Sequence, residues 1–350
     1  MPLSTFLIKS IFKNDWERDF MIEEKSTHII RLIILANVGI ALTFILNNFL
    51  TNGFGFPGPL NILGLIGLYD TSPANSLDIA LSGLQLGLYG LSLFFAYSCV
   101  ERRSHADDIK YLDAINTYII AACFWVVLLI GLVDIIISFI RVHDIHSYLF
   151  SDTISNMLNQ PKSRGIYIHL PIIVLGFLAA IRLRHISFVW LALMVVIAEM
   201  VIVIARFVFS YEQTFMGDLV RFWYAALFLF ASAQTLVEEG HVRVDVLYAG
   251  FSKIKKNKVN MFGAACLGIP LCWAVMICGI GTKNSVINSP MLNFETSMSG
   301  YGMYVKYLMA AFLLIFAITM LIQFSSHFLS AYLNLKSGQL GDADNAGENA

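Results

Sequence analysis

Apolar residues run in long, nearly unbroken stretches along this chain, and short polar words separate them. A helix needs roughly 20 apolar residues to cross a ~30 Å hydrocarbon layer. Stretches of that kind lie near residues 29–50, 77–100, 116–140, 166–182, 186–209, 219–237, 259–281 and 304–329. The fourth is short and contains Pro171, which removes a helix donor and makes it the weakest of the set. The pattern predicts an all-α fold, a polytopic integral membrane bundle of about eight transmembrane helices.

Three segments lie outside these runs. The first 28 residues place Ile8, Phe12, Trp16 and Phe20 at every fourth position, the period of a helix lying flat on a membrane surface. They lack the unbroken apolar core and small-residue cleavage site of a signal peptide. The loop 51–76 is rich in Gly and Pro and contains LNILGLIGL, too short to span; it is expected to rest in the outer interface or dip against the bundle. Residues 336–350 are small, polar and acidic, and their composition predicts a disordered tail. The expected organisation is an extension over 1–185 with a surface helix and about four spans, a four-helix module over 186–335, and the tail.

Composition agrees with a membrane protein: 57% of residues are hydrophobic and 13% charged, with mean hydropathy +0.71. A net charge of −1 gives no basic surplus for nucleic acid, but the placement of the 23 Lys and Arg residues orients the spans. With the amino terminus inside, sixteen of the 23 fall on inner segments and seven on outer ones, and 51–76 has none. The positive-inside rule therefore predicts that both termini are cytoplasmic, together with the polar word LVEEGHVRVDVLYAGFSKIKKNK, Leu236 to Lys258. Cys99, Cys123, Cys266, Cys272 and Cys278 all sit in apolar runs without ligand spacing and read as small buried hydrophobes, so no metal or disulfide framework is expected.

Two carboxylates fall deep inside predicted spans, Asp134 in GLVDIIIS and Glu199 in VVIAEMVI. Each costs several kcal/mol there unless it is paired, protonated or facing a polar cavity. Trp125, Asp134 and Arg141 are spaced nine and seven apart, and Trp190, Glu199 and Arg206 repeat both spacings, which raises a duplicated hairpin as one reading and chance as the other. Seven residues is about two helical turns, so each acid shares a face with its arginine but stands ~10 Å from it along the axis. A bridging group from a neighbouring helix or a second protein is required. A coupling-ion or proton site is one reading; a polar clamp for helix packing or subunit docking is preferred, because no broken helix that would expose carbonyls to an ion is visible nearby.

The histidines offer no mid-membrane pair that could hold haem. His143, Asp144 and His146 form a loose outer cluster that reads as ordinary loop residues more readily than as a metal site. No phosphate-binding glycine loop, nucleophile arrangement or paired catalytic carboxylate occurs, so neither an enzyme nor a cofactor is expected.

The stretch EEGHVRVDVLY, Glu238 to Tyr248, closely resembles the GHIRVDLL-type loop of the small membrane subunit, DctQ type, of tripartite ATP-independent periplasmic (TRAP) transporters. The similarity continues upstream through ARFVFS and GDLVRFWYAALFLFASAQTLVEEGHVRVD, and downstream through FETS and YVKYLMAAFLLIFAITMLIQF, covering about 150 residues from Phe188 to Leu335. Family members usually carry an acidic pair before the second helix; Gly217 and Asp218 stand there, so only Asp218 carries over. The usual module has four spans, which leaves 1–185 unexplained.

In an extended segment His241, Arg243 and Asp245 would share one face opposite Val242, Val244 and Val246, a pattern suited to lying against protein. The resemblance implies a large membrane subunit (DctM type) that carries solute and ion sites, a periplasmic solute-binding protein, and a place in a bacterial or archaeal inner membrane. It implies uptake of an organic acid or similar solute on an ion gradient, with sodium the expected ion. Gly240, His241, Arg243 and Asp245 would form the docking or structural motif, with Asp134, Glu199, Arg206, Asp218, Arg221, Glu238 and Glu239 as in-membrane or boundary polar residues. A self-sufficient channel or transporter and a redox-complex anchor are the alternatives.

Overall fold

A computed structural model of the chain describes residues 3–66, 75–184, 188–211, 213–237, 248–297 and 302–348. All regular structure in these residues is helical, and eight helices are long and apolar enough to cross a membrane. They are α1 (Leu3–Phe54), α2 (Ser76–Arg102), α3 (His105–Val142), α4 (Pro161–Arg182), α5 (Phe188–Phe209), α6 (Thr214–Val237), α7 (Lys253–Ile280) and α8 (Lys306–Glu348).

α3 and α8 form the centre. The most apolar window of each is half buried, against about a tenth in α5. α8 packs on α3, α6 and α7, while α3 also receives α4 and α6; α2 leans on α1, and α5 on α6. Two apolar clusters flank this axis. One joins Phe124, Val127 and Ile130 of α3 to Phe222, Trp223 and Phe230 of α6 and Phe312 of α8. The other joins Ile34 and Ala41 of α1 to Cys272 and Met276 of α7 and to Leu321 and Ile322 of α8. Lipid tails are as apolar as these side chains, so close packing and buried polar contacts must hold the bundle together. Gly131 shows the packing: a Cβ there would lie 2.3 Å from Trp223 Nε1, and its absence lets the indole donate to the Val127 carbonyl at 3.2 Å. Gly176 similarly brings α4 against the backbone of Val126.

α3 begins with a complete capping box, in which Ser104 accepts from the Asp107 amide and Asp107 returns a bond to the Ser104 amide. The weak fourth span is continuous from Pro161 to Arg182 because a π-helical turn, Gly165–His169, precedes Pro171. Proline cannot donate to the residue four back and its ring crowds that carbonyl, so a widened turn is the local remedy. α7 repeats it: Gly263–Gly268 is π-helical just before Pro270. The helix is thus unbroken across Pro171, where the sequence marked an interruption.

Other segments differ in detail. The expected surface helix near the amino terminus is continuous with the first span, as α1 runs uninterrupted from Leu3. The 51–76 loop contributes a 3-10 helix, Pro59–Ile66, packed on α2. Its approach is fixed by buried Gln85, which accepts from the Gly58 amide and donates to Thr51, while Asn47 donates to the Gln85 carbonyl. α8 continues to Glu348, into the stretch whose composition favours disorder; extending an existing helix is far cheaper than starting one.

Candidate functional site

The polar chemistry of the described residues concentrates where the carboxyl-terminal end of α3 meets the amino-terminal ends of α4, α6 and α8. Asp134 lies on α3 with no solvent exposure. Its Oδ1 accepts from Arg164 Nη1 at 2.9 Å and lies 3.2 Å from His169 Nε2, while Oδ2 accepts from the Tyr304 amide at 3.0 Å. His169 Nδ1 stands 2.7 Å from the Tyr307 hydroxyl, and the two rings stack. A neutral imidazole that donates from Nε2 and accepts the Tyr307 O–H at Nδ1 satisfies both contacts.

Arg164 closes the site from the start of α4. It is 1% exposed and donates from Nε and Nη2 to the Leu158 carbonyl. The Tyr304 ring sits between two guanidiniums, 4.2 Å from that of Arg164 and 4.3 Å from that of Arg141. Arg141 also donates to the Gly302 carbonyl, and the Tyr304 hydroxyl donates to the Asn159 carbonyl at 3.2 Å. Tyr304 is therefore the group between Asp134 and Arg141 that their two-turn separation demanded, and it belongs to this chain.

Asp218 acts beside it from α6. Its Oδ2 accepts from the Met303 amide at 3.0 Å and from Ser297 Oγ at 2.9 Å. Two acids on different helices thus hold consecutive backbone amides, Met303 and Tyr304, just ahead of α8. Buried donors near a helix start need acceptors, and negative charge there is favoured by the helix dipole. The preceding segment is tied by a Lys306–Glu295 pair at 2.7 Å and by the Tyr307 amide on the Glu295 carbonyl. Phe294 takes a positive φ of 49°, and its ring fills the space at Gly165, where a Cβ would lie 2.5 Å from it.

A second polar seam lies at the opposite ends of α1, α3 and α8. Arg31 reaches Asp108 Oδ2 at 2.8 Å and the Arg103 carbonyl at 2.6 Å, with both charged side chains buried. Asn116 donates to Gln323 at 2.9 Å, Ser326 donates to Asp113 at 2.6 Å, and His105 Nε2 meets the Leu329 carbonyl at 3.1 Å. Near both ends of the α8 span, therefore, residues of 1–185 are hydrogen-bonded to α8.

These contacts answer one open question and separate two other readings. The mate of Asp134 was left open between a neighbouring helix and another protein; its mates are Arg164, His169 and Tyr304, all of this chain. They were missed because Arg164 falls just ahead of the fourth span as read from sequence, among the loop charges, His169 lies in that short span, read as weak, and Tyr304 contributes a backbone amide that no side-chain pattern reveals. Trp125 donates to the Leu183 carbonyl, whereas Trp190, Glu199 and Arg206 are exposed. The spacing repeat thus joins one partly buried and one exposed set. Glu199 and Arg206 make no hydrogen bond or ion pair among the described residues. Arg221 is largely exposed and reaches Asp218 at 3.4 Å, a weak surface contact. His143 bonds the Tyr211 hydroxyl while His146 faces Asp144, so these two histidines point to different partners. Gly240, His241, Arg243, Asp245, Glu238 and Glu239 lie outside the described residues.

The fold and this cluster define a multi-pass helical membrane protein in which an amino-terminal set of spans is bolted to a carboxyl-terminal set through buried charge. Residues 192–332 match the family model described as "Tripartite ATP-independent periplasmic transporters, DctQ component", which places that part of the chain in the family its loop sequence resembled, with the additional helices as an extension. This is a family of transporter components and not of enzymes. No curated protein and no solved structure gives a match to the chain.

Proposed function

We propose that the chain is the small permease subunit of a TRAP-type secondary transporter. It would sit in a bacterial or archaeal inner membrane with both termini cytoplasmic. Beside it a large DctM-type subunit carries the solute and ion sites, and a periplasmic binding protein delivers an organic acid or similar solute. Uptake runs on an ion gradient, with sodium the expected ion and no ATP chemistry. The observation that carries this reading is the family match over residues 192–332.

The cluster around Asp134 supports a scaffold role over a self-sufficient pathway. Both oxygens of that carboxylate are occupied by donors, and Asp134, Arg164 and His169 are at most 1% exposed. A coupling-ion or proton site needs lone pairs that face an access route. Glu199 and Arg206 on α5, with the Gly240 to Asp245 loop, are the groups assigned to the large subunit. Affinity purification of the tagged chain with the large subunit tests this. Arg243→Gln is expected to lower the co-purified large subunit at least about tenfold, the loss of one charge-assisted contact. Normal co-purification with lost uptake would move Arg243 into the transport step. Solute uptake by liposomes holding this chain alone would overturn the subunit reading.

A further inference from the structure

We infer that the cleft between α1, α2 and α3 binds a phospholipid whose headgroup carries a hydrogen-bond donor in addition to its phosphate. The cleft has a volume of about 430 Å³ and is walled by apolar side chains, among them Leu35, Leu42 and Leu46 of α1, Leu91 and Phe95 of α2, and Ile115 of α3. It exists because α2 leans along α1 and makes little contact with α3. Leu42, Leu91 and Phe95 remain 45–64% exposed, so the groove opens to the bilayer.

Depth and chemistry select the occupant. From Leu35 to Leu46 the wall runs about 16 Å along the helix at ~1.5 Å per residue. That is about half of a ~30 Å hydrocarbon core, the reach of one leaflet. Its apolar length ends at Arg103, Asp108 and Tyr111. Positive-inside charge assigns this end to the cytoplasmic face. The Arg103 guanidinium lies 3.6 Å from the Tyr111 ring centroid, where a phosphate at the interface can meet it. Asp108 is 1% exposed; its Oδ2 is taken by Arg31, but Oδ1 has no hydrogen-bond partner among the described residues.

A buried carboxylate oxygen without a donor is costly, and a group arriving along the cleft can supply one. Arg31 already balances Asp108, so Arg103 leaves the pocket with a surplus positive charge for the phosphate. The ammonium of an ethanolamine headgroup or the hydroxyl of a glycerol headgroup supplies the donor for Oδ1. A choline headgroup has neither.

The full chain, purified from membranes in mild detergent with any subunits it retains, tests this by native mass spectrometry. Phosphatidylethanolamine, phosphatidylglycerol and phosphatidylcholine are added in turn at equal molar ratio. Retention of a single ethanolamine or glycerol lipid about tenfold over the choline lipid is expected, the effect of one charge-assisted hydrogen bond; whichever is retained identifies the donor. Arg103→Gln should weaken retention, and Leu42→Trp should abolish it by filling the groove. Phe94→Trp on the outward face of α2 should leave it unchanged and controls for general loss of fold. Equal retention of the choline lipid overturns the headgroup assignment, and unaltered retention in Leu42→Trp overturns the site. A photo-crosslinker at position 91 that captures a polypeptide in place of lipid overturns the occupant.

Discussion

Replacing Asp134 by alanine removes the acceptor for three N–H groups at once: Arg164 Nη1 at 2.9 Å, His169 Nε2 at 3.2 Å and the Tyr304 amide at 3.0 Å. It also strands a guanidinium that is 1% exposed. Breaking a buried ion pair from one side costs about 3–5 kcal/mol. Arg164 keeps its two bonds to the Leu158 carbonyl, so the expected loss is about 3 kcal/mol, the lower end of that range. Asp134→Asn keeps the shape and one acceptor and should lose about half as much. The diagnostic measurement is a double-mutant cycle. Asp134→Leu with Arg164→Met replaces both charges by apolar groups of similar size, and such replacements are often neutral. The double variant should therefore be at least about 1 kcal/mol more stable than the two single losses predict. Unfolding in mixed micelles with increasing dodecyl sulfate, followed by tryptophan fluorescence, gives the free energies. Additivity within about 0.3 kcal/mol would refute the clamp, because it would mean that the two residues do not depend on each other.

Three further outcomes are expected. Gly131→Ala drives a Cβ to 2.3 Å from the Trp223 indole nitrogen, so it should destabilise by about 1–3 kcal/mol and shift the tryptophan emission; an unchanged melting curve would contradict the packing. Asp218→Asn weakens the acceptor of the Met303 amide and of Ser297, and hydrogen exchange at Met303 and Tyr304 should rise by about tenfold, with no rise counting against the paired grip on α8. Glu199→Gln with Arg206→Gln should leave the melting temperature of the isolated chain within about 1 °C, since exposed substitutions stay near neutral, while lowering co-purification with the large subunit; destabilisation of the isolated chain would place these charges inside the bundle.

Span number and the polar word between α6 and α7 were legible because both are local: twenty apolar residues announce a span, and a charged word between two of them stands out. The acids at 134 and 199 were equally visible as costs. Their fates were not, because a carboxylate buried against α4 and one facing the bilayer look alike in a one-dimensional pattern. Arg164 illustrates the limit. It is counted among outer positive charges when topology is read, yet it lies 2.9 Å from Asp134, thirty residues away. The gripping of α8 by Asp134 and Asp218 is invisible for a deeper reason, since the groups gripped are backbone amides, which every residue other than proline carries. The π turns before Pro171 and Pro270 fall between these cases: proline marks the problem, and only the fold shows how each helix absorbs it.

The distribution of satisfied and unsatisfied charge also bears on what the extra spans do. Across the seam between 1–185 and α8, polar groups are hydrogen-bonded near both ends of the span, through His169–Tyr307 at one and Asp113–Ser326, Asn116–Gln323 and His105–Leu329 at the other. Glu199 stands near the middle of a span, Val189–Phe209, that is about a tenth buried and packs chiefly on α6. An acid held there against lipid is costly, so the proposed partner must supply a polar surface over α5. The extension does not supply it, because its helices occupy the α3-facing sides of α6 and α8. It enlarges the bundle on one flank while the charged flank of the DctQ module stays open, and a complex in which the large subunit instead covered α2 and α4, leaving α5 to lipid, would break this division.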